Sequence, residues 1–157
     1  MAALTGCFFD TSVLLGGIVD FGPEVAASQK IMGAVAAGGI RQPRTAWHCC
    51  LEFYAVATRL PMEFRLSPGE AAQLLEHELL GRFEVVDLPA AARLEFVNSL
   101  AGENVAGGRL YDAHIAQIAL KIGVRILVTN NLRHFSFMRH HGVEVLSPAD
   151  FISAGNL

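Results

Sequence analysis

The chain has 157 residues, a length that argues for a single domain spanning 1–157. Its hydrophobic fraction of 52% and charged fraction of 17% exclude a disordered polar chain, and a net charge of −3 argues against non-specific nucleic-acid binding through overall charge. Gly16, Gly17 and Asp20 interrupt the first apolar run, and Lys121, Gly123 and Arg125 the last, so neither is read as a membrane span. With no basic region ahead of an apolar core at the N-terminus, a cytoplasmic protein is expected.

In chain order, Cys7-Phe8-Phe9 reads as the end of a short buried strand, and Thr11 to Leu15 as the start of a helix. Asp10 stands at the junction. Glu24 to Ala37 is helical, with Val25, Met32 and Val35 on one stripe, and Gly38-Gly39 ends it. Ile40 to Pro43 reads as a brief strand. Thr45 is read as the cap of a helix from Ala46 to about Arg59, with Trp47, Cys50, Leu51 and Tyr54 marking its buried side. Ser67-Pro68-Gly69-Glu70 has the form of a capping box opening a helix that Gly81 stops after Leu80. A strand follows over Phe83 to Leu88. Pro89 opens a helix carrying Leu94, Phe96, Val97 and Leu100. After the loop Asn104 to Gly108, Arg109 to Ile122 is a helix with Asp112 in its first turn. Val124 to Thr129 is a buried strand that Asn130-Asn131 leave. Val143 to Leu146 is the last strand, and Ser147 to Asp150 cap a terminal helix. Strands alternating with helices predict an α/β fold, a three-layer α/β/α sandwich around a central parallel sheet.

The three cysteines, Cys7, Cys49 and Cys50, lack zinc spacing and are read as reduced thiols. Of the six histidines, His140-His141 reads as a solvated turn.

The acids carry the chemistry. Asp10 would lie at the carboxyl end of a parallel sheet, the edge where open α/β folds bind ligands. It would equally serve as a helix cap. Glu52 lies between Leu51 and Phe53, where burial demands a partner. His48 four residues before it and Arg59 after it offer a surface alternative. Three carboxylates gathered at one edge repel, each pair by about 4 kcal/mol at 4 Å and an effective dielectric of 20. A divalent cation removes that cost, and oxygen-only ligands suit Mg²⁺ or Mn²⁺.

Four segments together carry a family resemblance: Phe9-Asp10-Thr11-Ser12-Val13-Leu14, Leu51-Glu52-Phe53-Tyr54-Ala55-Val56, Tyr111-Asp112-Ala113-His114-Ile115-Ala116, and Val128-Thr129-Asn130-Asn131-Leu132-Arg133-His134-Phe135. In this order they resemble the successive signatures of a PIN domain, closest to the VapC-type toxin ribonucleases of prokaryotic toxin–antitoxin modules. The resemblance implies a PIN-like fold, Asp10, Glu52 and Asp112 as ligands of Mg²⁺ or Mn²⁺, and cleavage of RNA by a metal-activated water. It implies a homodimer held in check by a small antitoxin. Thr129 and Asn131 would support the site. Many PIN domains carry a fourth acid where Asn131 stands, so Asn131 would orient water rather than bind a second ion directly. Thr11, Ser12, Arg109 and Arg133, beside the site segments, are candidates for holding the RNA. Two other readings remain open: a degenerate PIN fold acting as an RNA-binding scaffold, and a phosphohydrolase with Asp10 as nucleophile. The second would want an acid where Ser12 stands.

Overall fold

The computed structural model describes residues 5–157. Five strands form one parallel sheet: β1 (Cys7–Phe9), β2 (Arg44–Ala46), β3 (Glu84–Val86), β4 (Ile126–Val128) and β5 (Glu144–Leu146), in the order β3-β2-β1-β4-β5. The central strand is therefore the first in sequence. The chain grows outward from it in one direction through β2 and β3, then returns to its other side for β4 and β5. That reversal makes the crevice beyond the carboxyl ends of β1 and β4 the topological switch point, the place where open α/β sheets bind ligands.

Around the sheet lie α1 (Thr11–Ile18), α2 (Ala26–Ala36), α3 (Trp47–Ala57), α4 (Pro68–Leu74), α5 (Arg93–Gly102), α6 (Arg109–Lys121), α7 (Leu132–Phe135) and α8 (Pro148–Gly155). α1 packs on α2 and α3, and α2 on α8. On the return side α6 packs on α5 and α7. Right-handed crossovers put these two groups on opposite faces, which gives the expected three layers. The strands, buried on both faces, are short and continuously apolar at the centre: Cys7, Phe8 and Phe9 are fully buried, as are Leu127 and Val128. Phe9 meets Phe83 and Phe151 edge-to-face at 6.0 and 5.5 Å. All three cysteines are free and buried, and burial pushes the Cys49 thiol up to about 12.

Several local expectations hold. Ser67 and Glu70 make the reciprocal capping box, with Pro68 in the first turn. Past Leu74 this helix widens, and the Gly81 amide reaches back five residues to Glu76. Ser147 caps α8 through the Asp150 amide. Val25, Met32 and Val35 are buried as the stripe predicts.

Two readings are corrected. The second strand is Arg44–Ala46, not Ile40–Pro43: Gln42 takes a left-handed φ of 49° and Pro43 has no amide to donate, so the ladder begins after them. Thr45 accordingly lies inside the sheet and caps nothing; its hydroxyl donates to the Phe9 carbonyl at 2.8 Å. The buried face of α3 is Cys49, Cys50, Phe53 and Ala57, whereas Trp47, Leu51 and Tyr54 are exposed. The large side chains misled the sequence reading. The face against the sheet and α1 sets Phe53 among the small Cys49, Cys50 and Ala57.

Candidate active site at the sheet switch point

The Asp10 amide donates to the Val128 carbonyl at 3.1 Å, the last rung between β1 and β4. The chain then turns into α1. Asp10 occupies the N-cap position, yet its side chain makes no capping bond. Its Oδ2 instead accepts from the Thr129 hydroxyl at 2.6 Å and the Ser12 hydroxyl at 2.9 Å. The capping alternative is thereby decided: the carboxylate turns across the sheet end. Both hydroxyls are fixed in turn, Thr129 Oγ1 accepting from the Asn131 amide at 2.9 Å and Ser12 Oγ from the Asn130 amide at 3.0 Å. A mesh of four hydrogen bonds thus ties the start of α1 to the exit of β4. Asp10 is 3% exposed, and burial is the main force pushing its carboxyl up to about 6. The Thr129 and Ser12 bonds oppose that rise, and the nearby Glu52 charge adds to it.

Glu52 projects from α3, the helix that leaves β2 on the other side of β1. It is half-buried, and His48 Nε2, one turn earlier, approaches its Oε2 to 3.5 Å. His48 is the first cause holding the Glu52 carboxyl below the usual range. The Thr11 hydroxyl lies toward Glu52 and Cys49 and lowers both, but no partner stands in hydrogen-bond geometry: it is a buried polar atom left unsatisfied. A shallow cleft of about 570 Å³ opens beside Glu52, lined by His48, Leu51, Ala55, Val56, Arg59 and Tyr111.

Asp112, in the first turn of α6, is held by His134 Nδ1 at 2.8 Å. The structure therefore brings Asp10 and Glu52 into electrostatic contact and sets Asp112 against α7. Among the described residues no group of three or more His, Cys, Asp or Glu side chains stands arranged to share one ion. Asn131 lies at the rim, its backbone amide committed to Thr129. Arg109 and Arg133 are exposed at the starts of α6 and α7.

The sequence reading did not assign His134 or His114 to the site. His134 faces Asp112, and His114 Nδ1 meets His48 Nδ1 at 2.8 Å. The signal for His48 was its spacing of four from Glu52. The other two contacts cross between helices, and no spacing announces them.

A model of the PIN domain family matches residues 7–133. The curated Ribonuclease VapC27 of Mycobacterium tuberculosis is 33% identical over 110 residues, 69% of this chain and 77% of that protein. Ribonuclease VapC40 of the same species is 28% identical over 136 residues, 87% and 94% of the two chains. Among solved structures, VapBC-1 from nontypeable Haemophilus influenzae superposes with a TM-score of 0.58 at 17% identity. FitAcB from Neisseria gonorrhoeae does so with 0.56, also at 17%. Each covers 91% of this chain and 98% of the other, and both bear on the fold.

Proposed function

We infer that this chain, which belongs to the PIN domain family and is of the VapC type, is a metal-dependent endoribonuclease and the toxin of a toxin–antitoxin pair. The observation that carries the reading is Asp10. It is a buried carboxylate at the switch point, oriented by two hydroxyls, with a second acid beside it and, among the described residues, no cation paired with it. The relatives named as ribonucleases supply the reaction class.

The donor set fits a hard divalent cation: Asp10 and Glu52 offer only oxygens, and their mutual repulsion is relieved by positive charge. Asp112 would complete the set on release from His134. Bound there, Mg²⁺ or Mn²⁺ supplies charge neutralisation at the scissile phosphate and activates water for its hydrolysis. The chain's own residues do the rest. Thr129 and Ser12 hold the Asp10 carboxylate in one rotamer. The unpartnered Thr11 hydroxyl is available to a group entering the site. Asn131 orients water at the rim, and Arg109 and Arg133 hold flanking phosphates of the RNA with bidentate forks. The acidic site free of RNA suits an arginine from a small antitoxin, whose fork matches a carboxylate. The homodimer follows the VapC type.

The test is cleavage of mixed RNA by purified protein with Mg²⁺ or Mn²⁺, with chelator, and by Asp10→Asn. Cleavage that needs the metal and disappears in the variant is expected. Metal-independent cleavage, or full cleavage by folded Asp10→Asn, would overturn the reading, and an intact but inert protein would favour the scaffold alternative.

A further inference from the structure

The two helices that carry Glu52 and Asp112 are joined by a histidine pair. His48 on α3 and His114 on α6 approach nitrogen to nitrogen, Nδ1 to Nδ1, at 2.8 Å, with their rings near-perpendicular at a centroid distance of 5.0 Å. Phe96 of α5 lies against the His114 ring at 5.4 Å, and Tyr111 against His48 at 5.6 Å, so neither ring is free to turn. The other nitrogen of His48, Nε2, faces the Glu52 carboxylate.

The tautomers of such a pair decide its direction. Two imidazole nitrogens at 2.8 Å must be one donor and one acceptor. If neutral His48 donated from Nδ1, its Nε2 lone pair would point at a carboxylate oxygen. The opposite arrangement places an N–H there. We propose that His48 and His114 are positioning residues for Glu52: His114 donates its Nδ1 proton to His48 Nδ1, which obliges His48 to keep its own proton on Nε2, against the carboxylate. The proposal rests on the reading of Glu52 as a metal ligand. The 3.5 Å approach to Glu52 is long for a hydrogen bond and shortens readily by a small rotation of Glu52, a half-exposed side chain. The hydrogen bond on one ring nitrogen thus dictates the state of the other, the way supporting residues orient metal-binding side chains.

The experiment begins with metal-free, RNA-free protein at about pH 8, above the ordinary imidazole range near 6.5. Nitrogen-15 NMR of the ring nitrogens reads the tautomers directly. His114 protonated on Nδ1 and His48 on Nε2 are expected. His114 protonated on Nε2 overturns the proposal, whatever the protein does to RNA. Titration of Mn²⁺ alone into variants reads the consequence. The amide of asparagine falls where histidine has Nδ1, and that of glutamine where it has Nε2. His114→Asn should keep Mn²⁺ affinity within about threefold of wild type, while His114→Gln should lose about tenfold, the low end for removing such a partner. A packing role would favour glutamine, the closer match in size. Equal affinities for the two variants, or better binding by the glutamine variant, would therefore overturn the positioning role and leave the ribonuclease reading to its own assay.

Discussion

Asp10 carries a stability signature that separates it from an ordinary cap. Its carboxyl is raised from 3.8 to about 6, chiefly by burial, so the native state binds the proton more tightly than the unfolded chain. Stability then falls as pH climbs through that window, and above it the loss is complete, on the order of 3 kcal/mol at 1.36 kcal/mol per pH unit. Asn keeps the shape and an acceptor for Thr129 and Ser12 without the charge. In chelator, Asp10→Asn should therefore be more stable than wild type at about pH 7 and nearly equal to it at about pH 4. Urea melts at the two pH values check this, and an identical difference at both would show that the Asp10 charge is not strained. Thr129 makes the second residue-scale prediction. Fully buried, it donates to Asp10 and accepts from the Asn131 amide. Thr129→Val should cost about 1–3 kcal/mol by stranding that amide, and Thr129→Ser much less. Thermal melts that place Val and Ser together would mean the hydroxyl is dispensable. Asp10 and Glu52 were legible in the sequence because a carboxylate in an apolar setting needs a reason. His114 was not, because its partner lies 66 residues away on another helix.

The elements were legible wherever a local chemical rule fixes them, as at the Ser67 box and the Ser147 cap, and illegible where tertiary packing decides. The face of α3 is such a case. Trp47, Leu51 and Tyr54 together outweigh Cys49, Cys50, Phe53 and Ala57 in apolar bulk, yet the second set is buried. α1 shows the same effect more sharply. Gly16 and Gly17 read as interruptions of an apolar run, but both lie inside the helix, where α2 crosses closely. A Cβ on Gly17 would stand 2.1 Å from Met32 Cγ and 2.9 Å from the Ser28 carbonyl oxygen. Met32 Cγ moves only if the buried side chain changes χ1, and the backbone oxygen cannot move without shifting α2. Helix propensity alone favours Ala over Gly by about 1 kcal/mol. Overpacking costs typically 1–3 kcal/mol, so Gly17→Ala should destabilise by up to about 2 kcal/mol net. Because Asp10 and Ser12 stand at the start of α1, the same substitution should also weaken Mn²⁺ binding. A Gly17→Ala protein as stable as wild type would show that α1 and α2 have slack, and that the site does not depend on their approach.

At the scale of the whole molecule, the proposed site is where the fold's two halves meet. β1 supplies Asp10, the outward branch through β2 supplies Glu52 on α3, and the return branch supplies Asp112 on α6 and Thr129 after β4. A parallel sheet was predictable from alternating strands and helices, but its strand order, with β1 at the centre, was not, since no local signal encodes strand order. That topology makes the proposed ion a cross-link between segments distant in sequence, which binds only the folded state. A hundredfold excess over Kd would stabilise by about 2.7 kcal/mol. In a domain of this size each kcal/mol moves Tm by about 2–4 °C, so a rise of roughly 5–10 °C is expected with Mn²⁺. Glu52→Gln removes one charged ligand and should retain only a small part of that rise. Proton and cation also compete for Asp10, whose carboxyl sits at about 6. Affinity should climb by up to about tenfold per pH unit below that value and level off above it. Calorimetric titration across the pH range, paired with melts of both proteins, tests the two together. Equal Tm rises in wild type and Glu52→Gln would remove Glu52 from the ligand set. A pH-independent affinity would remove Asp10, and with it the picture of an ion bound at the switch point.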